Sequence, residues 1–399
     1  MKEPPPSARR RSPAFSIAAV LRNESHRLPV LLKSLSGFRA RGGEIVVVDT
    51  GSDDGTSELA AAAGCRVEVE PRRFNRKLTR RDVARIEETL GLSGGARMLV
   101  PGQRVFNLGA ARNHASGLAR NDFVLAVDGS DVVDTIDVDF LDETVRGGRF
   151  EVLKFETRRW YEGRWFAEHR DYFADRRTTR WYGRSHCFVT SRRALSHPNT
   201  VVVPEGRLRV THHTDGSKTR DHQFAGVALD LLAAQEEAHR RFLFGRELAI
   251  RGFYKDALTA FLAVDIPRAT DSLRSSALSM AALCLAALAP ENEEGVADLL
   301  FKAARRDPSR RDPLLHLARR CLGAGDFQGA VSFATAALAI PAREGLSESE
   351  ENLRDGPHAI LYWALLWLGR RSEARAHFKL CLDFEPENPV YRSHSGLFS

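Results

Sequence analysis

Asn107-Leu-Gly-Ala-Ala-Arg-Asn-His-Ala-Ser-Gly-Leu-Ala-Arg-Asn-Asp-Phe-Val-Leu-Ala-Val-Asp-Gly-Ser-Asp131 is the stretch on which the fold turns. It reads as an amphipathic helix over residues 109–118, a polar turn at 120–122, an apolar strand at 123–127 and an abrupt acidic turn. Five consecutive apolar residues fit a buried parallel strand. Open α/β sheets bind ligands at the carboxyl ends of such strands, which places Asp128-Gly129-Ser130-Asp131 at a crevice.

Upstream, residues 15–20 make a short apolar strand, and Asn23-Glu24-Ser25 opens a helix whose Leu28, Leu31, Leu32 and Leu35 share one face. Gly37 is read as its end. Residues 44–48 form a second strand that runs into Asp49-Thr50-Gly51-Ser52-Asp53-Asp54-Gly55-Thr56. A helix at 57–63, closed by Gly64, and a strand at 66–69 complete a strand-helix-strand-helix-strand series, the mark of a parallel, doubly wound sheet. Asp49 and Asp128 then share one sheet edge. Gly51, Ser52 and Gly55 let the backbone approach a ligand with hydroxyl and amide donors. Taken alone, residues 49–56 are equally a turn made of residues that favour turns.

The 399-residue length predicts two or three domains, and 43% hydrophobic with 28% charged residues is ordinary for a folded soluble chain. No apolar run approaches the roughly 20 residues that cross a bilayer. Residues 1–13, rich in proline and arginine, read as a disordered leader without a secretory signal, and a cytoplasmic location follows as the expectation. Cys65, Cys187, Cys284, Cys321 and Cys381 contain no C-x-x-C pair, which argues against a disulfide framework or a structural zinc site. The net charge of +7 favours an anionic ligand or an acidic partner; arginines that only solvate a surface, or a nucleic-acid partner, are the competing readings.

These motifs, in this order, resemble a family. Ala18-Ala19-Val20-Leu21-Arg22-Asn23-Glu24-Ser25, Ile45-Val46-Val47-Val48-Asp49-Thr50-Gly51-Ser52-Asp53-Asp54-Gly55-Thr56, Ala111-Arg112-Asn113-His114-Ala115 and Val127-Asp128 look like the GT-A (Rossmann-like) fold of family-two glycosyltransferases. The similar branch couples the transferase domain to tetratricopeptide-like helices. The resemblance spans roughly residues 14–225. It implies transfer of a sugar, with inversion, from a nucleotide-diphosphate donor, commonly a uridine diphosphate (UDP) sugar. By the same resemblance Asp49 binds the base, Asn23 and Glu24 lie against the nucleotide, and Arg112 supports the pocket. Asp128 and the acid after it hold the ribose and a divalent manganese or magnesium ion, which would stabilise the leaving diphosphate as a Lewis acid.

Two positions depart from the family pattern. The expected Asp-x-Asp reads Asp128-Gly129-Ser130-Asp131, with Ser130 at the ligating position. Asp131 takes that role after a one-residue adjustment, or a weak site survives on Asp128, or the site works without metal or has lost catalysis. Gly183 to Cys187 matches a Gly-x-x-His-Glu segment in which Cys187 replaces the glutamate. The resemblance thus leaves the catalytic base unassigned, with His186 the least poor candidate. Cys187 reads as a packing residue, since a nucleophile would need a lowered pKa. His212 or His213 is the histidine expected to complete the metal shell; strand alternation lets one of them serve. Lys218 and Arg220 stand close in sequence for phosphate contact, while Asp134, Asp137 and Asp139 read as a solvated acidic loop.

Residues 71–104 form a basic insertion with Arg72, Arg73, Arg76, Lys77, Arg80, Arg81 and Arg85, leading into a helix at 81–90 that Gly91 ends. It is either a clamp or lid that neutralises diphosphate, or a solvated helix. From about residue 229 alanine-leucine helices follow one another. Gly252-Phe253-Tyr254 with Ala257 and Phe261, Gly325-Asp326-Phe327 with Ala330 and Phe333, and Gly369-Arg370 with Ala374 and Phe378 repeat, each ahead of a proline; residues 295–308 are a weaker copy. Such units stack as tetratricopeptide-like hairpins suited to a peptide or to self-association.

The expected architecture is a leader (1–13), a GT-A domain (14–228) and an all-α repeat domain (229–399). The expected activity is glycosyl transfer to a peptide or protein acceptor, with a homodimer through the repeats as a further expectation. A catalytically weak nucleotide-sugar-binding scaffold and a nucleic-acid-associated repeat protein are the alternatives.

Overall fold

The computed structural model describes residues 11–92, 99–161, 164–192, 198–213, 221–234, 237–267, 269–342 and 348–398. They fall into two compact units, one within 1–77, 104–163 and 167–219, the other within 78–103, 164–166 and 220–399.

The first unit opens with β1 (Phe15–Leu21), α1 (Leu28–Ser34), α2 (Ser36–Ala40), β2 (Glu44–Asp49), α3 (Thr56–Ala62), β3 (Arg66–Val69) and β4 (Asn75–Lys77). After α4 (Arg80–Leu90), which belongs to the other unit, come β5 (Arg104–Phe106), α5 (Leu108–Leu118), β6 (Phe123–Val127), β7 (Asp131–Ile136) and α6 (Val138–Gly147). β8 (Val152–Tyr161), β9 (Arg164–Asp175, of which residues 167–175 belong here), β10 (Thr179–Tyr182), β11 (Phe188–Ser191), β12 (Thr200–Val202) and β13 (Leu208–His213) complete it. The main sheet runs β3-β2-β1-β6-β9-β8-β13-β7. β3, β2, β1 and β6 are parallel, and β9 joins β6 antiparallel.

Period-two alternation makes this a layered unit. Phe15, Ile17, Ala19 and Leu21 of β1 pack with Leu28, Leu31, Leu32 and Leu35 and with Ala60 of α3. Ala18 turns to the opposite face, with Val46, Val48 and the α5 residues Ala111 and Ala115. Each fully buried leucine or phenylalanine here contributes about 1.5–3 kcal/mol of burial. The helix expected to stop at Gly37 is in two pieces: α1 starts at Leu28 with Pro29 in its first turn, and Gly37 lies inside α2. The chain reverses at Gly42, whose φ of 74° suits glycine.

In the second unit α4 has a Thr79/Asp82 capping box and ends at the left-handed Gly91. It packs on α7 (Asp221–Ala233). Hairpins follow: α8 (Ala238–Ile250) with α9 (Tyr254–Leu262), α10 (Asp271–Leu288) with α11 (Glu293–Arg306), and α12 (Asp312–Gly323) with α13 (Phe327–Leu338). After β14 (Glu348–Ser349) and α14 (Glu350–Leu353), α15 (Asp355–Trp367) pairs with α16 (Arg371–Phe384), and α17 (Pro389–His394) follows. Three of the first helices end alike. Gly252, Gly325 and Gly369 have φ of 81°, 78° and 76°, and the next amide donates back to Leu248, Cys321 or Leu365. That is a Schellman closure, and it turns the chain into the second helix of each hairpin. Ala257, Ala330 and Ala374 are fully buried where those second helices pack.

The units divide near 219/220 rather than at 228, because α7 buries residues 224–231 in the helical unit. The basic insertion is split as well. Residues 71–77 and 104 stay with the sheet, whereas Arg80, Arg81 and Arg85 lie on α4 in the helical unit.

Candidate active site

The turn after β2 is built around Asp49, which is 1% exposed. One carboxylate oxygen accepts from the Gly51 and Ser52 amides (2.9 and 2.8 Å) and the Ser52 hydroxyl (2.9 Å); the other accepts from the Ser57 hydroxyl. The residue that the resemblance assigns to the base thus holds the turn together here. Asn23, at φ 54°, donates its amide to Ser52 Oγ (2.9 Å) and accepts from the Asp53 amide (3.0 Å). Glu24 donates its amide to Thr56 Oγ1 (2.9 Å), which ties the ends of β1 and β2 into one rim.

The turn after β6 brings charged groups together. The Asp131 amide donates to the Asp128 carbonyl (3.0 Å), and the Asp128 amide donates to Asp131 Oδ2 (2.8 Å). Gly129 fits beneath Glu24: an added Cβ would lie 2.6 Å from Glu24 Cγ. Arg112 donates to Asp128 Oδ1 at 2.5 Å. Burial alone would raise the Asp128 carboxyl, but Arg112, with His212 and Arg170, outweighs it and holds the group at about 2. Asp131, 2% exposed, has Oδ1 against His212 Nδ1 (2.7 Å) and Arg170 (3.4 Å). Antiparallel pairing of β13 with β7 sets His212 directly opposite Asp131. His213 is exposed, and its amide donates to the Ser130 carbonyl (3.1 Å).

Arg112 is 4% exposed and stacks on Tyr172 (4.4 Å) and Trp181 (4.6 Å) while donating to Cys187 Sγ (3.3 Å). Burial pushes the Cys187 thiol up, opposite to what a nucleophile needs. Neighbouring His186 has a φ of 49°. The preceding turn seats α5: the Leu108 and Gly109 amides donate to the Arg184 and Gly183 carbonyls (3.0 and 3.1 Å). A Cβ on Gly109 would lie 2.4 Å from that Gly183 oxygen.

Asp128, Asp131 and His212 place one ligand atom each within 4.8 Å of one another, so their spacing fits a divalent cation. Two carboxylates and an imidazole suit manganese better than magnesium. Arg112 and Arg170 already neutralise the carboxylates, which lowers the attraction for a cation. A second group, Glu68, Glu70 and His114, is closed by ion pairs: His114 with Glu68 (2.7 Å) and Arg73 with Glu70 (3.0 Å). Of the acidic-loop residues, Asp137 caps α6, Asp139 pairs with Arg41, and Asp134 accepts from Thr211. Lys218 and Arg220 lie outside the described residues.

At the carboxyl end of β1 and β2 a cavity of 490 Å³ opens, lined by Arg22, Thr50, Gly51, Pro71, Arg72, Asn75, Arg76, Lys77 and Arg104. Arg22 lies in a motif that gave it no role, and Arg104 and, at the acidic turn, Arg170 escape a reading by motif. Arg170 could have been found only by knowing that β9 lies beside β6, since nothing local marks it.

No protein-family model matches the chain, and no curated protein matches it. Among solved structures it is similar to PilF of Pseudomonas aeruginosa (11% identity, TM-score 0.36, 44% of this chain and 73% of that one). It is also similar to the tetratricopeptide protein TTC0263 of Thermus thermophilus (18%, TM-score 0.34, 45% and 89%). YrrB, a tetratricopeptide protein with an unusual peptide-binding site, is a further one (13%, TM-score 0.32, 44% and 83%). The helical repeat architecture rests on the hairpins themselves. No helix among the described residues is long and apolar enough to cross a membrane.

Proposed function

We propose that the chain is a glycosyltransferase of GT-A type that takes a nucleotide-diphosphate sugar, a UDP sugar first among them. The observation that carries this reading is the delivery of two acidic turns to one sheet edge by the parallel strands β2 and β6. In the proposed reaction the acceptor hydroxyl attacks the anomeric carbon from the face opposite the leaving group. The bond from that carbon to the diphosphate oxygen breaks, and the hydroxyl proton passes to a base, His186 being the candidate. Asn23, Gly51 and Ser52 border the nucleotide, with Asp49 fixing their geometry. Arg112 holds the Asp128 carboxylate in place for the ribose. Asp128, Asp131 and His212 would hold a divalent cation, which when bound supplies Lewis-acid stabilisation of the diphosphate. Grooves in the helical unit would take a peptide or protein acceptor, as stacked hairpins do.

The test is release of nucleoside diphosphate from a panel of UDP sugars, with manganese and a peptide mixture. Release by the wild type that falls about 10²-fold or more in Asp128→Asn supports the proposal. One observation favours a second reading, a nucleotide-sugar-binding scaffold without turnover: Asp131 is buried and engaged at both oxygens, with Ser130 where a carboxylate would stand. UDP binding with no release from any donor would select it.

A further inference from the structure

We infer that the cavity at the carboxyl end of β1 and β2 binds a phosphoryl-bearing polyanion through Arg22, Arg72, Arg76, Lys77 and Arg104, without a divalent cation. This deepens the nucleotide-sugar reading by locating charge neutralisation in arginine and lysine side chains, and it stands on the cavity itself.

Five of the nine described lining residues are cationic and none is a carboxylate. The fold also opposes like charges within the cavity wall. β4 and β5 pair so that Lys77 lies directly across from Arg104, an arrangement that destabilises a two-stranded ribbon. The ribbon is kept by its apolar side: Phe74, just before β4, is 6% exposed, packs edge-on to Phe106 (6.5 Å) and takes the Asn107 amide on its carbonyl (2.8 Å). A positively charged wall maintained at a cost to stability fits a site for an anion of multiple charge.

The floor fits a ligand as well. Gly51, at φ 100°, lies against Pro71, where an added Cβ would come within 3.0 Å of the proline ring, so backbone rather than side chain faces the cavity. A volume of 490 Å³ falls within the roughly 300–1,000 Å³ of small-molecule pockets. Leu21 pairs with Asp49 and Ala19 with Val127, so the cavity rim and Asp128 lie about two strand spacings, roughly 10 Å, apart. A diphosphate can therefore belong either to the donor or to a phosphorylated acceptor beside it.

The test is calorimetric titration of the full chain with inorganic pyrophosphate and with UDP, in EDTA. The proposal predicts saturable pyrophosphate binding that weakens as salt rises. It predicts a loss of about tenfold or more in Lys77→Gln/Arg104→Gln, and retention in the charge-preserving Lys77→Arg/Arg104→Lys. The neutral double variant should melt at the same temperature as the wild type or higher, since a repelling pair is gone, which separates a binding role from a structural one. Mutual competition between pyrophosphate and UDP identifies the donor diphosphate as the ligand, and simultaneous binding identifies a phosphorylated acceptor. No pyrophosphate binding in EDTA, or equal binding by the neutral double variant, overturns the inference. UDP binding that persists in that case leaves the nucleotide-sugar reading standing.

Discussion

Arg112 joins the two halves of the site: its guanidinium carries Asp128 on one side and rests on Tyr172, Trp181 and Cys187 on the other. Lysine would keep the charge and lose both the planar fork and the stacking surface. Arg112→Lys is therefore expected to lower stability by about 2 kcal/mol in urea unfolding and to weaken UDP binding. A second residue-scale prediction concerns the helical unit. His358 Nδ1 and His377 Nδ1 are 2.8 Å apart with stacked rings, so one must accept from the other. Burial lowers both, with the other ring adding to this at His358, while Asp355 and Glu373 oppose it. A lowered folded pKa means that the unfolded chain binds more protons as pH falls. The stabilisation is present above the unfolded value of about 6.5 and is lost as pH drops through the folded values. Thermal unfolding should shift down between about pH 7.5 and about pH 5.5, and less so in His377→Gln.

At the scale of elements, α5 carries two glycines with opposite roles. Gly109 lies under the Gly183 carbonyl with no room for a methyl, whereas Gly117 is exposed with open space around its Cα. Gly109→Ala should cost about 2–3 kcal/mol by forcing the β10–β11 turn off the helix start. Gly117→Ala should gain about 0.5–1 kcal/mol from helix propensity. Chemical denaturation of both variants checks the pair, and equal effects would contradict the described seating of α5. β1, β2, β3 and β6 were legible because each signal is local: an apolar run, a turn, a helical stripe; β7, whose Asp134 read as part of a solvated acidic loop, and the β4–β5 ribbon inside the basic insertion were not. The acidic turn was legible for the same reason. Alternation said that one of His212 and His213 could join it, but not which, since that depends on the register of β13 against β7. Arg170 was hidden because β9 reaches β6 through a pairing between segments far apart in sequence.

For the whole molecule, the two-part organisation followed from periodicity that changes from strand to helix spacing, but the partition of residues 71–104 did not. Nothing in that segment's composition separates Arg76 and Lys77, on the sheet unit, from Arg80 and Arg81, on the helical one. The Schellman glycines made the hairpins readable, and the α10–α11 pair, which has Ala289-Pro290 in place of a left-handed glycine, was correspondingly the weakest copy. The sheet unit presents carboxylates paired to arginines and, beside them, a cationic cavity; both features fit a nucleotide diphosphate. The measurement that bears on this most directly is calorimetric titration of the full chain with UDP, in EDTA and again with manganese. The account predicts saturable binding in both buffers. Absence of binding in either would contradict it.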